Sequence, residues 1–154
     1  MNHPLLKALA PDQAKALSLL ATQVEFRPGE TIFRQREVAS GFYLIEKGEV
    51  RLEYELPGTR KIEIQRIGPG ELLGLSWLFE PYRWAFSATA ISSITAKFFR
   101  AADVRKQCAQ DPKLGYQLME EVARVLTERL QATRHKLLVF VERASDKDNA
   151  RQVS

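Results

Sequence analysis

The chain is poor in the residues that build metal centres and covalent cross-links. Of its 154 residues one, Cys108, is a cysteine and two, His3 and His135, are histidines. A single thiol cannot close an intrachain disulfide, which fits a reducing compartment. It also excludes cysteine-ligated zinc and iron–sulfur clusters. The two histidines stand far apart, with no carboxylate pattern beside them, and read as surface residues. They are too few for the several-histidine metal centre of a metal-dependent β-barrel enzyme. No Ser/His/Asp or Cys/His arrangement has a supporting motif. The sequence therefore reads as a non-enzyme with no metal site.

Long apolar runs are missing too, so no stretch approaches a membrane span. Met1-Asn2-His3-Pro4-Leu5-Leu6 has no charged region ahead of an apolar signal core. The expectation is a soluble, cytoplasmic protein with no membrane partner. Excess charge is small: the formal net charge is +4. Its cations are spread out, apart from Arg124, Arg129, Arg134, Lys136 and Arg143. These gather on one predicted helix and read as a solvated face rather than a nucleic-acid stripe. The length suits one ordinary domain with its own core.

Three regions follow one another. Residues 4–22 are helical in pattern, with a start at Pro11-Asp12-Gln13 and Ala14, Leu17 and Leu20 at helical spacing. Residues 23–100 read as β structure, with strands at 23–26, 30–34, 41–46, 49–56, 61–67, 85–90 and 94–100. Alternation is clearest in Val50–Leu56 and Ile62–Ile67, and turns fall at Arg27-Pro28-Gly29, Glu46-Lys47-Gly48, Leu56-Pro57-Gly58 and Ile67-Gly68-Pro69-Gly70. Such a series suits a sandwich, jelly roll or barrel. Between Glu71 and Trp84 the alternation breaks. Leu72, Leu75, Leu78 and Phe79 could line a short helix stopped by Pro81.

Residues 111–143 read as one long helix, with Asp111 as N-cap and Pro112 at the first position. Leu114, Leu118, Val122 and Val125 form one apolar row. Met119, Ala123, Leu126, Leu130, Thr133, Leu137 and Phe140 form another, spaced four and three over about three heptads. A helix rising ~1.5 Å per residue outruns a small barrel, so a second copy of the chain is the expected partner for its distal half. Residues 144–154 are polar and patternless, and are expected to be disordered.

The chemistry concentrates in Gly70-Glu71-Leu72-Leu73-Gly74-Leu75 and Arg83. A carboxylate accepts from sugar hydroxyls, and a guanidinium presents a planar fork to a phosphate. Glycine admits close approach of backbone N–H groups to an anion. These are the parts of a site for a small phosphorylated ligand. Trp77, Tyr82 and Trp84 could stack on a base or sugar, although Trp77 reads first as core.

In this order the segments resemble the cyclic nucleotide-binding domain of the catabolite activator superfamily. Phe26–Phe33 is similar to that family's opening turn and strand. Gly41-Phe42-Tyr43-Leu44-Ile45-Glu46-Lys47-Gly48-Glu49-Val50 is similar to its signature hairpin. Gly68-Pro69-Gly70-Glu71-Leu72-Leu73-Gly74 resembles the start of its phosphate-binding cassette, and Arg129–Thr133 resembles part of its dimerisation helix. The resemblance implies a mainly β fold with flanking helices: an eight-stranded jelly roll (double-stranded β-helix) followed by a long C-terminal dimerisation helix. One domain would occupy 1–143.

The resemblance also implies roles. Glu71 would hold the ribose 2′-hydroxyl, Arg83 the cyclic phosphate and Thr133 the purine. Backbone N–H groups near Gly70, and from Leu72 onward at the start of the following turn, would add donors. Three positions depart from the family pattern. Trp84 stands where a small residue, often Ser or Thr, follows the arginine. The Glu71–Arg83 interval is about two residues longer. Arg134 replaces a small hydroxyl.

The expectation is a stand-alone sensor of a small anionic ligand, cyclic AMP or cyclic GMP, with no other cofactor. It would signal through its long helix and dimer surface to a protein partner. The polar tail is too short for a helix-turn-helix unit, so direct sequence-specific DNA recognition is not expected. The alternative is a ligand-free interaction module with Trp84 filling the pocket.

Overall fold

The computed structural model describes residues 4–58 and 60–153, which leaves His3 outside. The chain divides into two units, Met1–Leu118 and Met119–Ser154. The first holds eight strands: β1 (Ala21–Phe26), β2 (Thr31–Phe33), β3 (Gly41–Lys47), β4 (Val50–Glu55), β5 (Lys61–Ile67), β6 (Leu72–Leu73), β7 (Ser87–Ala90) and β8 (Ile94–Arg100). They form two four-stranded sheets, ordered β1-β8-β3-β6 and β2-β7-β4-β5. Every pairing within them is antiparallel. This strand order is the jelly roll that the resemblance implied.

Two short helices, α1 (Pro4–Lys7) and α2 (Pro11–Ser18), precede the sheets, and α3 (Ala101–Gln110) follows β8. The N-terminal helical region is thus shorter than the sequence pattern suggested. Ala21 and Thr22 already belong to β1, where they pair with Phe99 and Phe98. Sequence periodicity gave no sign of α3, which packs on β3 and β8. Its ten residues are too few for a clear period, and only Ala101 and Val104 are buried.

The core follows from β3 and β8. Gly41–Ile45 are all buried, so this strand reads as a continuous apolar run covered on both faces. Phe42 stacks on Trp77 and Phe99, with ring centroids 5.3 and 4.8 Å apart. From the other sheet, Val50, Leu52 and Ile67 are buried. Leu114 and Leu118, on the first turns of α4 (Pro112–Val153), are also fully buried.

Two expectations are corrected in detail. Leu72–Phe79 is not a helix. Leu72 and Leu73 pair with Leu44 and Tyr43 as β6, and only Ser76–Leu78 form a 3-10 turn. Gly74, at φ +95°, breaks any helical continuation. The second correction concerns α4, which does not end at 143. Asp111 caps it as expected, its Oδ1 accepting from the Leu114 amide at 3.3 Å. The helix then runs through 144–153, where a disordered tail was expected. No Gly or Pro follows Gly115, so the sequence holds no stop signal. The missing apolar period there reflects exposure: residues 144–151 all face solvent.

Candidate functional site

The turn between β5 and β6 places Glu71. Gly70 adopts φ +82°, a left-handed conformation that glycine enters without a Cβ penalty. The Gly70 amide donates to the Ile45 carbonyl at 2.8 Å, and the Ile45 amide donates to the Glu71 carbonyl at 3.1 Å. The turn is thereby fixed to β3. The Glu71 carboxylate is exposed, and its Oε1 accepts from the Gly68 amide at 3.2 Å. Because its own amide is engaged, Gly70 is not a spare donor in this conformation. Leu72 is buried, and its side chain belongs to the core.

Arg83 sits at the far end of the cassette. Its backbone forms an isolated antiparallel bridge with Val38. The neighbouring Trp84 amide donates to the Glu37 carbonyl, and the Trp84 carbonyl accepts from the Arg36 amide, at 2.9 and 2.8 Å. The Arg83 guanidinium is exposed, and its Nη1 donates to the Arg36 carbonyl at 3.0 Å. Two non-glycine residues beside it are left-handed, Arg36 at φ +77° and Tyr82 at φ +56°. Such conformations cost on the order of 1–3 kcal/mol each and persist only where surrounding contacts impose them.

Beneath the cassette lies Trp84, 4% exposed. Its indole stacks on Phe33 with centroids 3.8 Å apart. It also rests against Gly74, where a Cβ would lie 2.8 Å from the ring. Trp84 is therefore a support under Arg83 rather than an open stacking surface. Trp77 is core, as its residue type suggested, at 2% exposure. Ser76 Oγ closes the cassette by accepting from the Ala85 amide at 3.2 Å. Thr133 lies on the other unit, exposed on α4.

Several residues of the site gave no signal in the sequence. Arg36 acts through a backbone carbonyl in a turn and Ser76 through a hydroxyl at the start of the 3-10 turn. Arg105 reaches the cassette from α3, where its guanidinium donates to the Trp77 carbonyl and lies 4.8 Å from the Tyr82 ring centroid. Contacts with residues 28 and 23 positions earlier, made from an unpredicted helix, have no periodic signature. Among the described residues, no group of His, Cys, Asp or Glu could hold a metal ion. Nor is any helix among them long and apolar enough to cross a membrane.

Residues 23–111 match the cyclic nucleotide-binding domain family. The chain belongs to that family.

Relatives of this cyclic nucleotide-binding domain agree. A CRP-like cAMP-activated global transcriptional regulator of Mycobacterium tuberculosis is 28% identical over 140 residues, covering 90% of this chain and 61% of the relative. A cyclic nucleotide-binding protein structure from Geobacter metallireducens gives a TM-score of 0.73 at 26% identity, covering 83% of this chain and 92% of that one. The catabolite activator protein of Thermus thermophilus gives 0.69 at 28% identity, covering 89% and 63%. The domain spans about three fifths of the Mycobacterium relative's length.

Proposed function

We propose that this domain senses a small anionic nucleotide, with cyclic AMP the first candidate and cyclic GMP the second. Glu71 would accept from the ribose, and Arg83 would donate to the cyclic phosphate. One observation carries this reading. Glu71 and Arg83 are exposed opposite charges, yet neither forms an ion pair among the described residues, and each is oriented by a backbone group instead. An exposed carboxylate and an exposed guanidinium of one cassette, each engaged by a backbone group and not by an ion pair, suit a ligand that carries both a hydroxyl and a phosphate. One Arg83 donor is engaged by Arg36, which fixes the fork while leaving donors for an anion. The role is regulatory and non-catalytic.

The signal would pass to a second copy of the chain through α4. Leu126, Leu130, Leu137 and Phe140 lie exposed at heptad spacing, with Leu130 and Phe140 nearly 70% exposed. A buried seam between two such helices would remove this apolar surface from water.

Calorimetry with cyclic AMP and cyclic GMP tests the proposal. Wild-type protein should bind at least one of them. Arg83→Leu should lose affinity by about a hundredfold, some 2.7 kcal/mol, with circular dichroism unchanged. Binding that is indifferent to Arg83 would remove the assignment.

Trp84 favours a second reading. It replaces the small residue of the family pattern with an indole buried on Phe33 and Gly74. A ligand-free interaction module would show no melting shift with any cyclic nucleotide, since no bound ligand would stabilise the folded state by mass action.

A further inference from the structure

We propose that Arg105 of α3 is a positioning residue that holds the Ser76–Trp84 cassette in the shape that presents Arg83. This rests on the reading that Arg83 meets the ligand, but the holding itself is argued from geometry alone.

Three contacts converge on one guanidinium. Arg105 Nη2 donates to the Trp77 carbonyl. The same group lies 5.7 Å from the Trp77 ring centroid and 4.8 Å from that of Tyr82. A planar cation can donate in its plane and present its face to aromatic rings at the same time, which an ammonium cannot. Arg105 thus joins the two ends of the cassette, the 3-10 turn at Trp77 and the residue immediately before Arg83.

Tyr82 is the point of leverage. Its φ of +56° is unfavourable for a bulky side chain and must be imposed by its surroundings. Its amide donates to the Phe79 carbonyl at 2.8 Å, and its carbonyl accepts from the Ala39 amide at 2.8 Å. These two bonds anchor the backbone only in part, and the ring is held by Arg105. Without that cation the Tyr82 ring would be free to leave α3. The left-handed residue would relax, and the Arg83 backbone would turn with it. Among the described residues no carboxylate lies within ion-pair distance of Arg105. α3 in turn packs on the start of α4. A Cβ added at Gly115 would meet the Cys108 Cβ at 3.2 Å, so the two helices touch closely there. Arg105 therefore ties the cassette to a helix that is itself seated against α4.

The two tryptophans of the chain, Trp77 and Trp84, both lie in this cassette, so intrinsic fluorescence reports on it directly. Arg105→Ala should red-shift the emission and raise the acrylamide quenching slope at least twofold. Hydrogen exchange at the Ala39, Tyr82 and Trp84 amides should quicken at least tenfold, with the β3 and β8 ladder amides unchanged. Arg105→Lys should restore the Trp77 bond but only part of the Tyr82 protection. In titrations with cyclic AMP, Arg105→Ala should weaken binding about tenfold, with Arg83 still in place. Unchanged cassette exchange in Arg105→Ala overturns the proposal. So does equal acceleration of the β3 and β8 amides, which marks a general loss of stability. If wild-type protein binds no cyclic nucleotide, the sensor reading fails, while fluorescence and exchange still decide whether Arg105 holds the cassette.

Discussion

The indole of Trp84 lies flat on the ring of Phe33, with centroids 3.8 Å and planes 11° apart. This joins β2 to the segment carrying Arg83, so the residue after the cassette arginine is an anchor in the core. Removing a buried tryptophan forfeits its transfer free energy and leaves a cavity. Trp84→Ala should cost about 3–5 kcal/mol, as such truncations do, and Trp84→Phe considerably less. Trp84→Ser installs the small hydroxyl of the family pattern. It should also destabilise by several kcal/mol, by about the alanine figure, rather than improve nucleotide affinity. Urea unfolding of the three variants measures this. A serine variant as stable as wild type would show that the stack contributes little.

Gly74 makes that stack possible. Its φ is +95°, and a Cβ would sit 2.8 Å from the Trp84 ring. Gly74→Ala thus combines a backbone conformation that L residues avoid with an overlap onto a buried indole. The expected loss is about 2 kcal/mol or more, the range of backbone strain plus overpacking. A red-shifted tryptophan emission should accompany it. Alanine tolerated without loss would mean that the segment can shift away from Trp84 at little cost.

The strands were legible from alternation, apolar runs and the turns between them. The Lys61–Ile67 run lies between the Leu56-Pro57-Gly58 and Ile67-Gly68-Pro69-Gly70 turns, and the bounds read for 61–67 and 94–100 are those of β5 and β8. Leu72–Leu73 was not legible as a strand, because two residues cannot show a period. Their pairing is imposed by the Gly70 and Ile45 backbone bonds. The same holds for the site. Glu71 and Arg83 could be nominated from charge and spacing, since their chemistry is carried by their own side chains. Arg36, Ser76 and Arg105 act through a carbonyl, a hydroxyl and a long-range contact, and each depends on the finished fold.

Alkaline stability should reveal two acids, the buried Tyr43 and the half-buried Cys108. Burial holds the Tyr43 phenol above its ordinary range. Burial, followed by the Asp111 charge, does the same to the Cys108 thiol. In each case the folded state resists losing the proton. As pH rises the unfolded chain ionises first, so the native state binds more protons and stability falls. Stability should be flat in this respect below about pH 8.5 and should decline through and beyond about pH 10, the ordinary cysteine and tyrosine values. Cys108→Ser should remove the earlier part of the decline. Denaturation midpoints from neutral to strongly alkaline pH test this. Identical curves for the two proteins would remove Cys108 from the account. Thiol labelling of Cys108 at neutral pH should also be slower than that of an exposed cysteine, because less thiolate is present.

Thr133 separates the two uses of α4. It interrupts an exposed row in which Leu126, Leu130, Leu137 and Phe140 occupy the neighbouring heptad positions. If that row is the seam of a parallel pair of helices, Thr133 is a polar residue in an apolar interface. Such residues fix register at a cost in stability. Thr133→Leu should then tighten self-association, while Leu130→Glu should abolish it by placing a charge in the seam. If Thr133 instead touches a bound purine, Thr133→Leu should weaken cyclic AMP binding and leave the association constant alone. Sedimentation equilibrium and calorimetry on the same preparations distinguish these outcomes. Should Leu130→Glu leave association unaltered, the heptad row is not where two copies meet.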